Sequence, residues 1–209
     1  MRKYLLISVV VTTILAFVWA FNFPFNHPPS YEVDGFEYIE QPDNITCGPT
    51  STLVLLKRYG KDYTLDEVKD STKTQWLTYN DQPIGMTSPE YLPIAMTKMG
   101  LPSLMLRGDL KRLKYYISQR RPVIVLLRSG ELTWHYVVVI GYTEDVIVVA
   151  DPGWGQRVEM PVENFLGSWS FKTDMRGNEC GHESLVFLLK AAEVRSHTMI
   201  VPWNSLDGG

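Results

Sequence analysis

The sequence predicts an α+β fold, and three observations carry that prediction. Helix punctuation fills the first half of the 209-residue chain, and β-branched apolar runs fill the second. The composition, 45% hydrophobic and 21% charged, is that of an ordinary globular protein. The length fits one medium domain or two small ones.

Taken in chain order, the first element is an export segment. Arg2 and Lys3 precede an uncharged run from Tyr4 to Phe21, 18 residues long. That length lies between a signal peptide and a membrane span. Val18-Trp19-Ala20 offers small residues where a signal peptidase reads, with cleavage after Ala20. The aromatics Trp19, Phe21, Phe23 and Phe25 suit the interface of an uncleaved anchor. Residues 1–21 therefore read as a signal peptide or a membrane anchor. Either places the rest of the chain outside the cytoplasm, as an exported protein that is secreted or membrane-anchored. Residues 22–34, with Pro24, Pro28 and Pro29, read as a linker. A folded domain over 35–192 and a C-terminal tail over 193–209, ending in Gly208-Gly209, complete the organisation.

Within the domain, Gly48 to Tyr59 is an apolar-rich helix stopped by Gly60. Thr64-Leu65-Asp66-Glu67 has capping-box spacing and opens a short helix. Ser88-Pro89 starts another that stops at Gly100, and Asp109 caps a helix from Leu110 to Gln119. Strands follow at Pro122 to Leu127, His135 to Tyr142 and Val146 to Ala150, with a further one at Leu185 to Leu189. The strands are expected to be mostly antiparallel.

Several functions are excluded. The net charge is −3, and −5 without Arg2 and Lys3, which gives no basic footprint for nucleic acid. Gly60-Lys61 is followed by Asp62, so the phosphate-binding glycine loop is missing. Two cysteines, Cys47 and Cys180, make neither a disulfide scaffold nor a four-cysteine zinc site. Cys180, His182 and His197 lack a fourth ligand. No cofactor and no metal are expected. A Cys47–Cys180 disulfide would silence Cys47 as a nucleophile. The basic cluster Lys111, Arg112, Lys114, Arg120 and Arg121 reads as a solvated helix face.

The chemistry concentrates in four residues. Cys47 stands where an irregular segment, Gln41 to Thr46, becomes a helix. The unpaired N–H groups there favour a thiolate and can serve an oxyanion. Gln41, six residues upstream, can supply a second amide donor if the loop folds back. His135 opens one strand and Asp151 closes the next, with Thr143-Glu144-Asp145 as the turn between them. Pairing Tyr142 with Val146 would set Val137 opposite Asp151, leaving His135 and Asp151 on one face as diagonal neighbours. A carboxylate holding an imidazole beside a thiol is a nucleophile, base and orienter set.

In this order, Gln41, Cys47-Gly48-Pro49, His135-Tyr136 and Asp151-Pro152, the sequence resembles the papain-like cysteine peptidases. It is most similar to stand-alone relatives of the bacteriocin-processing, double-glycine leader peptidases. The likeness spans about Tyr38 to Leu189. It implies a papain-like fold, with an N-terminal helical half carrying Cys47 and a C-terminal antiparallel sheet carrying His135 and Asp151. It implies Gln41 as oxyanion donor, Cys47 as nucleophile, His135 as base and Asp151 as orienter, with Trp154 shielding Asp151. The expected activity is hydrolysis of peptide bonds in a peptide or protein substrate. The same residues also serve an acyltransferase or amidase, and a catalytically silent peptide-binding domain is the rival class. Trp134, Tyr136, Trp154 and Trp169 are candidates to line the cleft.

Overall fold

The computed structural model describes residues 25–79, 82–130, 133–169 and 197–206. The export segment, the strand expected at Leu185 to Leu189, and Cys180 with His182 lie outside these residues.

The sheet forms where the β-branched runs are. Six strands follow one another across it: β4 (Ser103–Arg107), β9 (Thr198–Pro202), β5 (Val123–Arg128), β6 (Trp134–Tyr142), β7 (Val146–Asp151) and β8 (Gln156–Pro161). Among the described residues, all pairings in this sheet are antiparallel. A two-residue strand, β1 (Tyr31–Glu32), pairs with Tyr142 and Gly141 of β6, beyond the point where β5 stops. A separate hairpin joins β2 (Gln75–Tyr79) to β3 (Gln82–Met86).

Alternation along the central strands divides the core in two. Ile124 and Leu126 of β5, Tyr136, Val138 and Ile140 of β6, and Val148 and Ala150 of β7 pack toward α1 (Cys47–Arg58), α2 (Leu65–Ser71) and α3 (Tyr91–Lys98). Val125, Val137, Val139 and Val149 pack toward α4 (Leu110–Ser118) and α5 (Val162–Trp169). A sheet with helices on both faces buries both sides of β5 to β7, which explains their unbroken apolar runs.

The expected helix caps form. Thr64 and Glu67 make a reciprocal capping box at α2, and Asp109 Oδ1 accepts from the Arg112 amide at α4. Helix α1 is buried from Cys47 to Leu56, and Lys57 and Arg58 in its last turn complement its dipole.

Two segments differ from expectation. Residues 25–34 are docked and not a free linker. Tyr142 Oη donates to Pro28 O at 3.2 Å, Val33 is buried, and Val33 N donates to Ile140 O at 2.8 Å. Arg157 clamps Glu32 through two hydrogen bonds of 2.7 and 2.9 Å. The tail read over 193–209 contains β9, an interior strand of five buried residues lying between β4 and β5. Its T-M-I-V-P run is apolar enough to fill that slot.

Candidate active site

The site assembles at one end of the sheet, where the start of β6 and the end of β7 meet the N-terminus of α1. The hairpin that sets this register contains a compensation. Near the turn Tyr142 pairs with Ile147 and Gly141 with Val148, one residue away from the expected pairing. A bulge at Ile140 then takes up the extra residue, so Val139 faces Val149 and Val138 faces Ala150, as the sequence reading requires. His135 and Asp151 therefore share a face.

His135 Nε2 lies 2.6 Å from Asp151 Oδ1. This leaves Nδ1 for the Cys47 thiol, which acts on the charge of the ring. Burial opposes charge on the imidazole, but the hydrogen bond to Asp151 and the neighbouring Cys47 thiol outweigh it and raise the pKa to about 9. Asp151 Oδ1 also accepts the Gly153 amide at 2.8 Å, an Asx-type turn that fixes the carboxylate. Gly153 is packed so closely that an added Cβ would sit 3.2 Å from Asp151 Oδ1 and 3.4 Å from the His135 ring. Cys47 is a buried free thiol.

The helix carrying Cys47 is tied to the strand carrying His135. Ser51, one turn beyond Cys47, donates through Oγ to Tyr136 O at 3.2 Å. Tyr136 Oη donates to Thr87 O at 2.8 Å, and Thr87 packs where a side chain at Gly48 would fall. These bonds fix the separation of thiol and imidazole from both sides.

Gln41 reaches the same region. Its backbone N donates to Pro152 O at 2.7 Å, beside the Asp151 turn. Its Nε2 donates to Asp43 O at 2.6 Å, and its buried Oε1 has no hydrogen-bond partner among the described residues. Asp43 holds the loop: its Oδ1 accepts from Ile45 N at 3.0 Å and Thr46 Oγ1 at 2.8 Å. Burial works against the Asp43 carboxylate, but these hydrogen bonds, helped by Lys69, hold its pKa below the usual value. Sequence reasoning missed Asp43 and Gly153, although Asp-Asn and Asp-Pro-Gly are turn signatures that mark both.

Trp154 is 69% exposed, while the Asp151 side chain is only 13% exposed. Tyr136 and Trp169 belong to the core and Trp134 packs partly against it, so these three are mainly structural. The basic cluster is likewise partly inward: Lys114 Nζ donates to Thr143 O and Arg121 to Pro202 O. Among the described residues, no three His, Cys, Asp or Glu side chains gather to hold a metal.

The β2–β3 hairpin backs the Cys47 loop. At Gly85 an added Cβ would fall 1.5 Å from Ile45 Cγ2 and 2.9 Å from its Cα. Gly85→Ala is therefore expected to displace the hairpin or the loop, costing about 1–3 kcal/mol of stability. A thermal melt of the variant checks this, and an unchanged midpoint would contradict the packing.

No curated protein matches the chain in sequence. Solved structures match in fold. The peptidase domain of Streptococcus ComA, a bi-functional ABC transporter involved in quorum sensing, is 19% identical with a TM-score of 0.57, covering 80% of this chain and 98% of that one. A double glycine motif protease from an AMS/PCAT transporter, in complex with the leader peptide, is 18% identical with a TM-score of 0.55, covering 82% and 94%. A protein from Bacillus anthracis described as a C39-like peptidase is 14% identical with a TM-score of 0.61, covering 85% and 98%. These likenesses show a papain-like α+β fold. The Peptidase_C39 like family matches residues 33–174, more than half of the chain and all of the site, and this protein belongs to that family.

Proposed function

We propose that this protein is an exported cysteine peptidase that hydrolyses peptide bonds, either secreted or anchored by its N-terminal segment. The observation that carries this reading is the 2.6 Å hydrogen bond from His135 to Asp151 on a ring that also interacts with the Cys47 thiol, with the imidazole pKa raised to about 9. At neutral pH that imidazole is a cation beside the sulfur, which favours the thiolate.

The mechanism follows from the placement of the groups. The Cys47 thiolate attacks the amide carbonyl carbon, and the carbonyl oxygen becomes an oxyanion. The first N–H groups of α1 have no acceptor within the helix, so the Cys47 N–H can receive that oxyanion. The second amide hydrogen of Gln41, not given to Asp43, supplies the other donor. The His135 imidazolium gives its proton to the leaving amine as the C–N bond breaks. The neutral imidazole then takes a proton from water, whose oxygen displaces sulfur from the thioester. Asp151 holds the ring and stabilises its cation throughout.

The known complex of a relative with a leader peptide supports a peptide as substrate. The test compares secreted and surface peptides from cells making the protein or its Cys47→Ala variant. Peptides that depend on Cys47 are expected, with free carboxyl termini at the new ends. Products joined to added amines would instead identify acyl transfer, and no difference would favour a silent binding domain.

A further inference from the structure

We infer that the exposed basic side of α4, beside the end of β6 opposite the active site, is a contact surface for the anionic headgroups of a bilayer. This inference rests on the reading of Tyr4 to Phe21 as a retained anchor.

The structure shows where that segment joins the body. The Phe25 ring meets Tyr115 of α4 edge-on, with centroids 5.3 Å apart, and the Arg112 guanidinium lies 5.3 Å from the Phe25 centroid. Only residues 22–24 separate Phe25 from Phe21, the end of the uncharged run. Four fully extended steps reach about 14 Å. The face of α4 thus lies within about 14 Å of the point where an anchor would leave the bilayer, an upper limit of less than two ~8 Å screening lengths of physiological salt.

The charge on this side suits such a surface. Residues 107–121 hold six cations and one acid, in a chain of net charge −3. Lys114 and Arg121 are committed to backbone carbonyls, but Arg107, Lys111 and Arg112 are exposed. Asp109 offsets part of Arg112 from 3.6 Å, and Glu144 and Asp145 act on Lys114 at the same end. The aromatic rings of Phe25 and Tyr115 beside these cations suit an interface. The cluster is a solvated face by sequence alone, and the position of Phe25 gives it a partner.

The separation of this surface from the active site follows from β6. His27 stacks edge-on against Tyr142 with centroids 5.4 Å apart, at the last residue of that strand. His135 stands seven residues earlier, about 24 Å away at ~3.4 Å per residue. The chain is held at one end of the strand and the chemistry lies at the other, so the contact surface and the active site are separated by the length of β6.

The test uses the full chain in a Cys47→Ser, Cys180→Ser background. An environment-sensitive dye is attached through Gln119→Cys on the α4 side, or through Trp154→Cys at the active-site end. Each is mixed with vesicles of phosphatidylcholine alone or with added phosphatidylglycerol. The chain is expected to float with both vesicles. The dye at 119 should shift to the blue only with phosphatidylglycerol and return at ~1 M salt, where screening shortens to about 3 Å. The dye at 154 should not respond. Lys111→Gln should reduce the ratio of docked to undocked chain about fivefold. A chain that floats but whose 119 dye ignores lipid charge, or whose 154 dye responds equally, overturns the surface alone. A chain that floats with neither vesicle overturns the anchor and the surface together. The same shift from soluble polyphosphate without vesicles overturns a bilayer as the partner.

Discussion

Replacing His135 with alanine is expected to lower kcat by about 10⁴-fold or more, because removing one member of a nucleophile–base unit disables the whole unit. The same variant should lose the rapid alkylation of Cys47 at pH 6. Ordinary thiols, with pKa about 8.5, are mostly protonated there. In the wild-type site, the imidazolium favours the thiolate that reacts with the alkylating agent. Iodoacetamide labelling of reduced, folded protein, with mass spectrometry to assign the cysteine, provides the measurement. It needs no knowledge of the substrate. Labelling of Cys47 at the rate of a model thiol, with or without His135, would sink the dyad. A melting curve for the variant separates lost chemistry from lost fold.

The second large effect concerns Asp151. Its 2.6 Å bond to Nε2 helps raise the imidazole pKa from 6.5 to about 9. The ion pair with sulfur exists while the ring is protonated, so kcat/KM should fall as pH rises through about 9. In Asp151→Ala that basic limb should move down toward the ordinary imidazole value, with kcat reduced roughly 10²–10⁴-fold. Asp151→Asn keeps an acceptor without the charge, so it should lie between the two. The same shift has a stability consequence of fixed sign. A raised pKa in the folded state contributes stability that is fully present below about 6.5 and lost as pH climbs to about 9. Urea midpoints should therefore fall over that window in the wild type, and less in Asp151→Ala. A basic limb unmoved by the substitution would exclude Asp151 from control of His135.

Much of this site was legible because its residue types are chemically distinctive and its elements carry strong local signals. Gly60 after α1, the Thr64–Glu67 box and Asp109 each announce a helix boundary by a hydrogen bond that the backbone needs. The order of Gln41, Cys47, His135 and Asp151 was readable without coordinates. Other parts have weaker signatures. Strand β8 reads Q-R-V-E-M-P, half polar and ended by proline, and β3 reads Q-P-I-G-M, with both strand-breaking residue types inside it. Strand β9 looks like the start of a tail, because the neighbours that bury it come from sequence-distant β4 and β5. The exposure of Trp154 was illegible too, since an aromatic beside a turn gives no sign of which way it points.

The bulge at Ile140 makes the two ends of β6 independent in phase. A strand is a wave of period two, and an extra residue shifts that wave by half a cycle. Tyr142 belongs to the same core cluster as Val137 and Val139, although their spacing from it is odd. Without the slip, a pairing that satisfied Tyr142 would turn His135 to the wrong side of the sheet. The intervening Val137, Val138 and Val139 fit either side, so burial alone would scarcely resist the error. A one-residue change in the register at the Thr143–Asp145 turn is thus absorbed at one position, without disturbing the imidazole.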